Sequence, residues 1–355
     1  MDHPLVLGIE TSCDDTACAV VDGAGRVLSS VVSSQLAAHR PYGGVVPEIA
    51  SREHLSNWPA VSREALERAG VGLREVEVVA ATRGPGLVGA LLVGLSLGKA
   101  IAFAEGRPFH AVHHLEGHLF SPFLRAPGDP AAPEPPPARF VGLVVSGGHT
   151  SLFTVEDGAV STLGETRDDA MGEVFDKVGK RLGLPYPQGP QVDALAERGT
   201  PGARPLPVSR FGRFGDSLDF SYSGLKSQAL LEIERLERTL GPLDLGTGDE
   251  PPQAVLDLLA GFRAAAVGQV LDRLDRLRQR QPVGTLAVSG GVAANRLLRR
   301  ELPLWAERRG VDLRLVPLVY AGDNAAMIAN AARLRQAQGL ADDPLTAEAE
   351  SRIPI

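Results

Sequence analysis

The sequence predicts an α/β chain built from two duplicated lobes, and three observations predict it. A unit of strand, polar loop, strand, Asp-Gly turn and strand occurs at residues 5–32 and again at 140–163. Elsewhere apolar strands alternate with amphipathic helical stretches, the pattern of helices laid on sheets. At 355 residues the chain also exceeds the size at which one hydrophobic core keeps growing.

In order, the first unit is an apolar strand at 5–9, a polar loop at 10–15, a second strand at 17–21, the turn Asp22-Gly23 and a third strand at 27–32. An amphipathic helix is expected at 51–69. The glycine-rich apolar stretch 84–98, flanked by Arg83 and Lys99, is shorter than a membrane span and reads as a buried helix that lets another backbone approach closely. Residues 126–137 are too proline-rich for helix or central strand and form a surface connection. The lobes are therefore drawn at 1–137 and 138–355, with the last helix able to pack back on the first lobe. The second unit follows with a strand at 140–145, the loop Ser146-Gly147-Gly148-His149-Thr150, a strand at 152–155, the turn Asp157-Gly158 and a strand at 160–163. Helices are expected at 168–182 and 253–280. A strand at 285–288, the loop Ser289-Gly290-Gly291 and a helical stretch at 293–302 come next. An apolar strand at 313–320 ends in the turn Gly322-Asp323-Asn324.

Composition narrows the function classes. The chain is 44% hydrophobic and 22% charged, an ordinary soluble balance, with no basic leader before an apolar core. Its net charge of −7 gives no global field for nucleic acid, so any RNA contact needs a local patch or a partner. The two cysteines, Cys13 and Cys18, fall short of a four-thiol zinc set and read as reduced packing residues of a cytoplasmic chain.

The segment His113-His114-Leu115-Glu116-Gly117-His118 carries the sharpest chemistry. Residues four apart on a helix lie one above the other, about 5–6 Å between Cβ atoms, so His114 and His118 can share a metal ion. Two histidines on a polar helix face are the other reading. Proteolysis of the His-Glu-x-x-His kind is disfavoured: Leu115 stands where the catalytic glutamate belongs, and Glu116 lies roughly 100° further round. The loops Ser146-Gly147-Gly148 and Ser289-Gly290-Gly291 each end an apolar strand, where small residues let backbone N–H groups reach a phosphate. The second also opens a helix, whose N-terminus favours negative charge. Such loops suit an actin-like, two-lobed ATPase fold of the sugar kinase and heat-shock type. On this reading they would approach one adenylate from opposite lobes.

A family resemblance becomes specific in eight colinear segments. They are Gly8-Ile-Glu-Thr-Ser-Cys-Asp-Asp-Thr16, Gly44-Val-Val-Pro-Glu-Ile-Ala-Ser-Arg-Glu-His54, the His113–His118 segment and Val144-Val-Ser-Gly-Gly-His-Thr150. They continue with Asp168-Asp-Ala-Met-Gly-Glu-Val-Phe-Asp-Lys177, Phe220-Ser-Tyr-Ser-Gly-Leu-Lys226, Ser289-Gly-Gly-Val-Ala-Ala-Asn295 and Gly322-Asp-Asn-Ala-Ala-Met327. The chain resembles the TsaD family, the tRNA adenosine N(6)-threonylcarbamoyltransferases once labelled glycoproteases. The departures are the proline-rich connector and Tyr186-Pro-Gln-Gly-Pro190, where Gln188 replaces a second glycine and could alter the backbone near a nucleotide.

The resemblance implies transfer of threonylcarbamoyl from threonylcarbamoyl-AMP to the exocyclic amine of the adenosine 3′ of the anticodon. It assigns His114, His118 and Asp323 as ligands of one divalent metal, iron or zinc. It assigns nucleotide contacts to Val144, Val145, Ser146, Gly147, Gly148, Asp176, Gly189, Asp193 and Asn295. Asp176 and Asp193 suit ribose hydroxyls, and Asn295 suits sugar or base. Against these stand a helix ion pair of Asp176 with Lys180, an exposed helical Asp193 and a capping Asn295. Glu10 is a candidate catalytic residue, as general acid or orienting group, with a structural carboxylate the alternative.

The implied partners are tRNA, a TsaB-type paralogue and a TsaE-type ATPase, with the donor made by a TsaC-type synthase and no membrane. Arg204, Arg210, Arg213 and Lys226, with Arg296, Arg299 and Arg300, are either a tRNA path or a solvated face. An actin-fold kinase and a non-catalytic scaffold are the remaining alternatives.

Overall fold

Buried apolar strands set up the first sheet. In the computed structural model, which describes residues 4–125, 128–131, 133–208, 217–248 and 250–355, β1 (Val6–Glu10) is buried along its whole length and pairs antiparallel with β2 (Asp15–Val21). β2 pairs antiparallel with β3 (Val27–Ser34) around a turn in which Arg26 N–H donates to Asp22 Oδ1 at 2.8 Å. A short helix, α1 (Leu36–His39), precedes α2 (Pro47–Ala69). α2 opens on a proline, which lacks only an N–H that the first turn leaves unpaired, and stops at the left-handed Gly70. β4 (Val78–Gly84) then lies parallel to β1, and α3 (Val88–Glu105) crosses back to β5 (Phe109–His113), parallel to β4. α4 (His114–Phe120) begins where β5 ends. The strand order is β3-β2-β1-β4-β5.

The second sheet repeats that plan. β6 (Arg139–Val145), β7 (Thr150–Glu156) and β8 (Ala159–Glu165) form an antiparallel meander. Among the described residues four helices follow: α5 (Met171–Arg181), α6 (Gly189–Ala196), α7 (Ser223–Leu240) and α8 (Gln253–Arg280). β9 (Thr285–Ser289) joins parallel to β6, and after α9 (Arg296–Glu307), β10 (Asp312–Leu315) joins parallel to β9. The order β10-β9-β6-β7-β8 is that of the first sheet, a meander extended beside its first strand by two parallel strands.

The chain divides into Met1–Pro136 with Val316–Ile355, and Pro137–Leu315. The 316–355 segment thus clusters with the first unit, where the sequence reading ran the second lobe to 355. The physical cause is α10 (Ala325–Ala337), which is buried over most of its length and packs on β1. A Cβ on Gly8 would sit 2.3 Å from the Ala325 carbonyl, so only glycine admits this approach.

The strand expected at 313–320 is a further correction. It stops at Leu315, because Pro317 offers no ladder N–H, and residues 318–320 make a tight helical turn instead.

The helix expected at 84–98 starts later, at Val88, after the Gly84-Pro85-Gly86 bend. Its glycines do admit close neighbours: a Cβ on Gly94 would lie 2.3 Å from Thr11 Oγ1, and one on Gly98 would lie 2.9 Å from Ala81 Cβ. α3 and α8 are both long and apolar enough to cross a membrane, and α8 is mostly buried within its unit.

Candidate metal centre and adenylate cradle

The candidate metal centre is built within the first unit, where β5 hands over to α4. His113 is the N-cap of α4, its Nδ1 accepting the Leu115 N–H at 3.1 Å, so the helix starts at His114 and the i, i+4 spacing turns His118 to the same side. The two rings meet edge to face, with centroids 4.7 Å apart. Asp323 arrives from the loop before α10, which Asn324 fixes by capping that helix, its Oδ1 accepting the Met327 N–H at 3.0 Å. Asp323 Oδ1 lies 3.2 Å from His118 Nε2 and 3.5 Å from His114 Nε2. Gly117 helps bring the elements together, since a Cβ there would meet Ile328 Cδ1 of α10 at 2.9 Å.

These donors fit a divalent cation. Ligand bonds near 2.0–2.2 Å put neighbouring donor atoms about 3.0–3.5 Å apart, close to the separations from Asp323 to each imidazole. His118 is fully buried, and among the described residues neither of its ring nitrogens has a hydrogen-bond partner. The 3.2 Å contact with Asp323 lacks hydrogen-bond geometry. A buried imidazole with both nitrogens unsatisfied is costly unless something else takes a lone pair. Burial also holds the His118 ring below the ordinary histidine range, which favours the neutral form that a ligand needs.

Behind His114 stands Glu10, also fully buried. Its Oε2 lies 3.1 Å from His114 Nδ1 and accepts the Thr82 hydroxyl at 2.7 Å, while Oε1 takes the Ser12 N–H. A carboxylate can only accept from the ring, so Nδ1 carries a proton and Nε2, on the side of Asp323, is the nitrogen that a metal would take. Burial alone would push the Glu10 carboxyl up, but His114 and Thr82 hold it below the usual range. Burial alone would likewise lower His114, but Asp323 and Glu10 outweigh it and raise the metal-free ring to about 9. Enclosed among Ser12, Thr82 and His114, Glu10 is placed to orient the His114 ring or to serve as a structural carboxylate. Ser12, whose Oγ lies 3.3 Å from His114 Nδ1, and Thr82 were not singled out from sequence. Nothing in their spacing signals a contact made across the sheet.

Glu116 takes no part in this centre. It lies 3.9 Å from Arg335 Nη1 of α10, away from a protease base's role. Cys18 is buried, Cys13 is half-buried, and both are free thiols. Burial pushes Cys18 up to about 12, and burial with Asp14 pushes Cys13 higher still, so neither is a thiolate ligand.

A separate cavity of about 440 Å³ lies within the second unit. Gly147, Asp176, Gly189, Asp193, Gly291 and Asn295 are among its lining residues. Both Ser-Gly-Gly loops belong to this one unit, which overturns the expectation of opposite lobes. They end β6 and β9, neighbouring parallel strands with Val144 opposite Ser289. A Cβ on Gly147, Gly148 or Gly291 would meet nothing within 4 Å, so the loops present open backbone. Gly290 differs: with φ +92 and a would-be Cβ 2.3 Å from the Val145 carbonyl, it is a packing glycine. Val144 and Val145 are buried strand residues behind the loop, and Ser146 is nearly buried.

The polar residues of the cavity are more committed than the sequence suggested. Asp176 Oδ1 accepts the N–H groups of Gln188 (3.1 Å) and Gly189 (2.8 Å), tying α5 to the start of α6, a role distinct from a Lys180 pair. Burial pushes its carboxyl up despite those bonds. Asp193 is not exposed: Arg263 Nη1 donates to its Oδ1 and the Arg296 N–H to its Oδ2, each at 3.1 Å. Asn295 is the N-cap of α9, its Oδ1 accepting the Leu298 N–H at 3.0 Å.

Gln188 leaves the backbone undistorted. It holds ordinary right-handed angles, φ −84 and ψ −34, and its side chain packs where Gly179 lacks a Cβ. The cations expected along a tRNA path carry carboxylate neighbours within the same unit. Lys226 pairs with Asp169 at 2.5 Å, Arg204 lies 3.6 Å from Glu232, Arg300 3.5 Å from Glu197 and Arg296 3.9 Å from Asp193. Arg299 donates to the Ala293 carbonyl, while Arg210 and Arg213 lie outside the described residues.

The duplicated sheet topology and the two sites define a two-lobed, actin-like α/β protein. Solved structures share that fold at low identity. HypF of T. kodakarensis aligns with 97% of this chain and 49% of its own, at 14% identity and a TM-score of 0.61. Component A of (R)-2-hydroxyglutaryl-CoA dehydratase from Acidaminococcus fermentans aligns with 94% of this chain and 99% of its own, at 15% identity and a TM-score of 0.51.

Sequence comparison gives the family. The profile of the TsaD family, tRNA N6-adenosine threonylcarbamoyltransferase, matches residues 26–330. A relative of that description from Pelobacter propionicus is 50% identical over 92% of this chain and 90% of its own. Another, from Sorangium cellulosum, is 46% identical over 98% and 97%. The chain belongs to the TsaD family of tRNA N6-adenosine threonylcarbamoyltransferases, and its activity is that of a transferase in tRNA modification.

Proposed function

We propose that the chain moves threonylcarbamoyl from threonylcarbamoyl-AMP to the N6 amine of the adenosine 3′ of the anticodon, in tRNAs reading codons that begin with adenine, with iron or zinc held by His114, His118 and Asp323. The metal part rests on the fully buried His118 ring, whose Nε2 faces Asp323 Oδ1 at 3.2 Å and whose Nδ1 has no hydrogen-bond partner among the described residues. Bound there, the metal would supply Lewis acidity toward the acyl carbonyl.

The protein's own residues do the rest. Glu10 holds the Nδ1 proton of His114 and so keeps Nε2 available, and the buried, neutral His118 completes the pair of imidazoles. In the second unit the open loops at Gly147 and Gly291 suit the phosphate of the adenylate, while Asp176 and Asn295 line the walls where sugar and base would lie. In the transfer, the N6 nitrogen forms a bond to the carbamoyl carbon as the bond from that carbon to the phosphate oxygen breaks. AMP leaves with the electron pair, and the amine gives up one proton. Adenosine N6 is a weak nucleophile, so positioning and charge stabilisation supply most of the rate.

The acidic net charge, and the carboxylates beside Lys226, Arg204, Arg296 and Arg300, favour shared tRNA recognition with a TsaB-type paralogue and a TsaE-type ATPase, the donor coming from a TsaC-type synthase, in the cytoplasm. The reading is tested by reconstitution with those partners, threonylcarbamoyl-AMP and unmodified tRNA, read by nucleoside mass spectrometry with metal analysis of the purified chain. Modified adenosine formed at the parent rate by metal-free protein would remove the metal's role. ATP-dependent phosphorylation of a sugar or an acid without modified tRNA would favour the kinase reading.

A further inference from the structure

The segment 342–353 lies against the ends of β4 and β5 and finishes on the metal-bearing helix. Asp342 N–H donates to the Phe109 carbonyl at 2.8 Å, and its Oδ2 accepts the Ala111 N–H at 2.9 Å. Lys99 Nζ donates to the Ala347 carbonyl at 2.9 Å, and Glu350 N–H donates to the Arg83 carbonyl at 2.9 Å, with an Arg83–Glu350 ion pair beside it. Gly84 is shaped for this passage. Its φ is +153, and a Cβ there would lie 2.0 Å from the Glu350 carbonyl.

The last contact reaches His113, whose Nε2 lies 3.2 Å from the Ile353 carbonyl. Both of its partners have fixed roles. The Leu115 amide can only donate, so Nδ1 is an acceptor; the Ile353 carbonyl can only accept, so Nε2 carries the proton. One carbonyl of the returning segment thus selects the tautomer that can cap α4, the helix presenting His114 and His118.

We infer that His113, held by the 342–353 strap, is a positioning residue for the metal centre, fixing the start and direction of α4 so that both imidazoles face Asp323. The inference rests on the metal reading above. Its mechanism is that of a helix cap coupled to a distant segment: losing the cap frees the first turn of α4, where His114 sits.

The test uses Co²⁺ as probe, with affinity read from its ligand-field absorption and by chelator competition, and unfolding temperature followed in parallel. His113→Phe keeps the ring volume and removes both bonds. Glu350→Pro removes the N–H that anchors the strap on Arg83, together with the Arg83 ion pair. Each single variant is expected to bind Co²⁺ about tenfold more weakly, in line with losses seen when a group supporting a ligand is removed. The double variant should be no weaker than His113→Phe alone, because both act through one ring. His113→Asn, which restores a strong capping oxygen, should recover most of the affinity and be indifferent to Glu350→Pro.

Parent affinity in both single variants, a lowered unfolding temperature without any change in Co²⁺ affinity, or additive losses in the double variant would each overturn the inference. If His113→Phe does not fold, Glu350→Pro in the parent and in His113→Asn decides alone, by the loss expected in the first and its absence in the second. A parent protein that takes up no Co²⁺ and no Zn²⁺ would instead remove the metal reading itself.

Discussion

The loop between β1 and β2 and the loop between β6 and β7 occupy the same place in two sheets of the same topology, yet they are filled oppositely. In the first, Thr11 donates to the Ala90 carbonyl at 2.9 Å and accepts the Gly94 N–H at 3.2 Å, while Glu10 turns inward behind His114. In the second, Gly147 and Gly148 carry nothing, and a cavity adjoins them. One backbone plan therefore yields a braced wall in one lobe and an open cradle in the other. The difference lies in side chains, and it is where function enters a shared fold.

The sharpest way to break this division of labour is His118→Ala. It should abolish stoichiometric metal and lower tRNA modification by more than about 100-fold, beyond the usual loss for groups that only support a ligand. Adenylate affinity, measured by calorimetry, should stay at the parent value. Concurrent loss of both would show that the two lobes do not act separately.

Gly147→Val makes the converse cut. The added side chain meets no protein atom at its Cβ, so the fold should survive while adenylate binding falls by about 1–3 kcal/mol through overcrowding of the cradle. Metal content should be unchanged, and an unaltered adenylate affinity would move the nucleotide elsewhere.

A smaller effect comes from pH. The metal-free His114 ring is raised to about 9, above the unfolded value of 6.5, so its contribution to the metal-free fold is present below 6.5 and fades as pH rises through about 9. Zn²⁺ must displace that proton. Apparent affinity should then climb about tenfold per pH unit between roughly 7 and 9 and level off above, with one proton released. Calorimetry in buffers of different ionisation enthalpy would count it, and a release of zero would contradict the assigned protonation.

The smallest expected change is Gly117→Ala, within about 1 kcal/mol in stability. The new methyl crowds the tip of Ile328 at 2.9 Å and Met327 Cγ at 3.1 Å, both atoms of flexible side chains, and alanine favours the helix. Denaturant unfolding measures it, and a loss above about 3 kcal/mol would mean that α10 cannot yield there.

Much of this was legible in advance, for identifiable reasons. Strands with turn residues between them announced both meanders, and amphipathic periodicity announced α2, α5 and α8, because these signals are local. The pairing of His114 with His118 was local too, set by the helical repeat. Asp323 was reachable only through the family resemblance, since its place depends on where α10 docks. The same dependence hid the contacts of Glu10 with His114 and Thr82. It also made the carboxylates of Asp176 and Asp193 look available when neighbouring segments already use them.

By itself the sequence determined the two-lobed α/β plan, the family and the types of donor available, because each follows from residue order and short-range geometry. Only the tertiary structure decided that the two Ser-Gly-Gly loops end neighbouring strands of one sheet, and that α10 docks so that Asp323 meets the histidines. Those outcomes depend on strand order and on whether one backbone can approach another. At Gly8 that approach is decided by a missing methyl group facing the Ala325 carbonyl, a contact between positions that no sequence window spans.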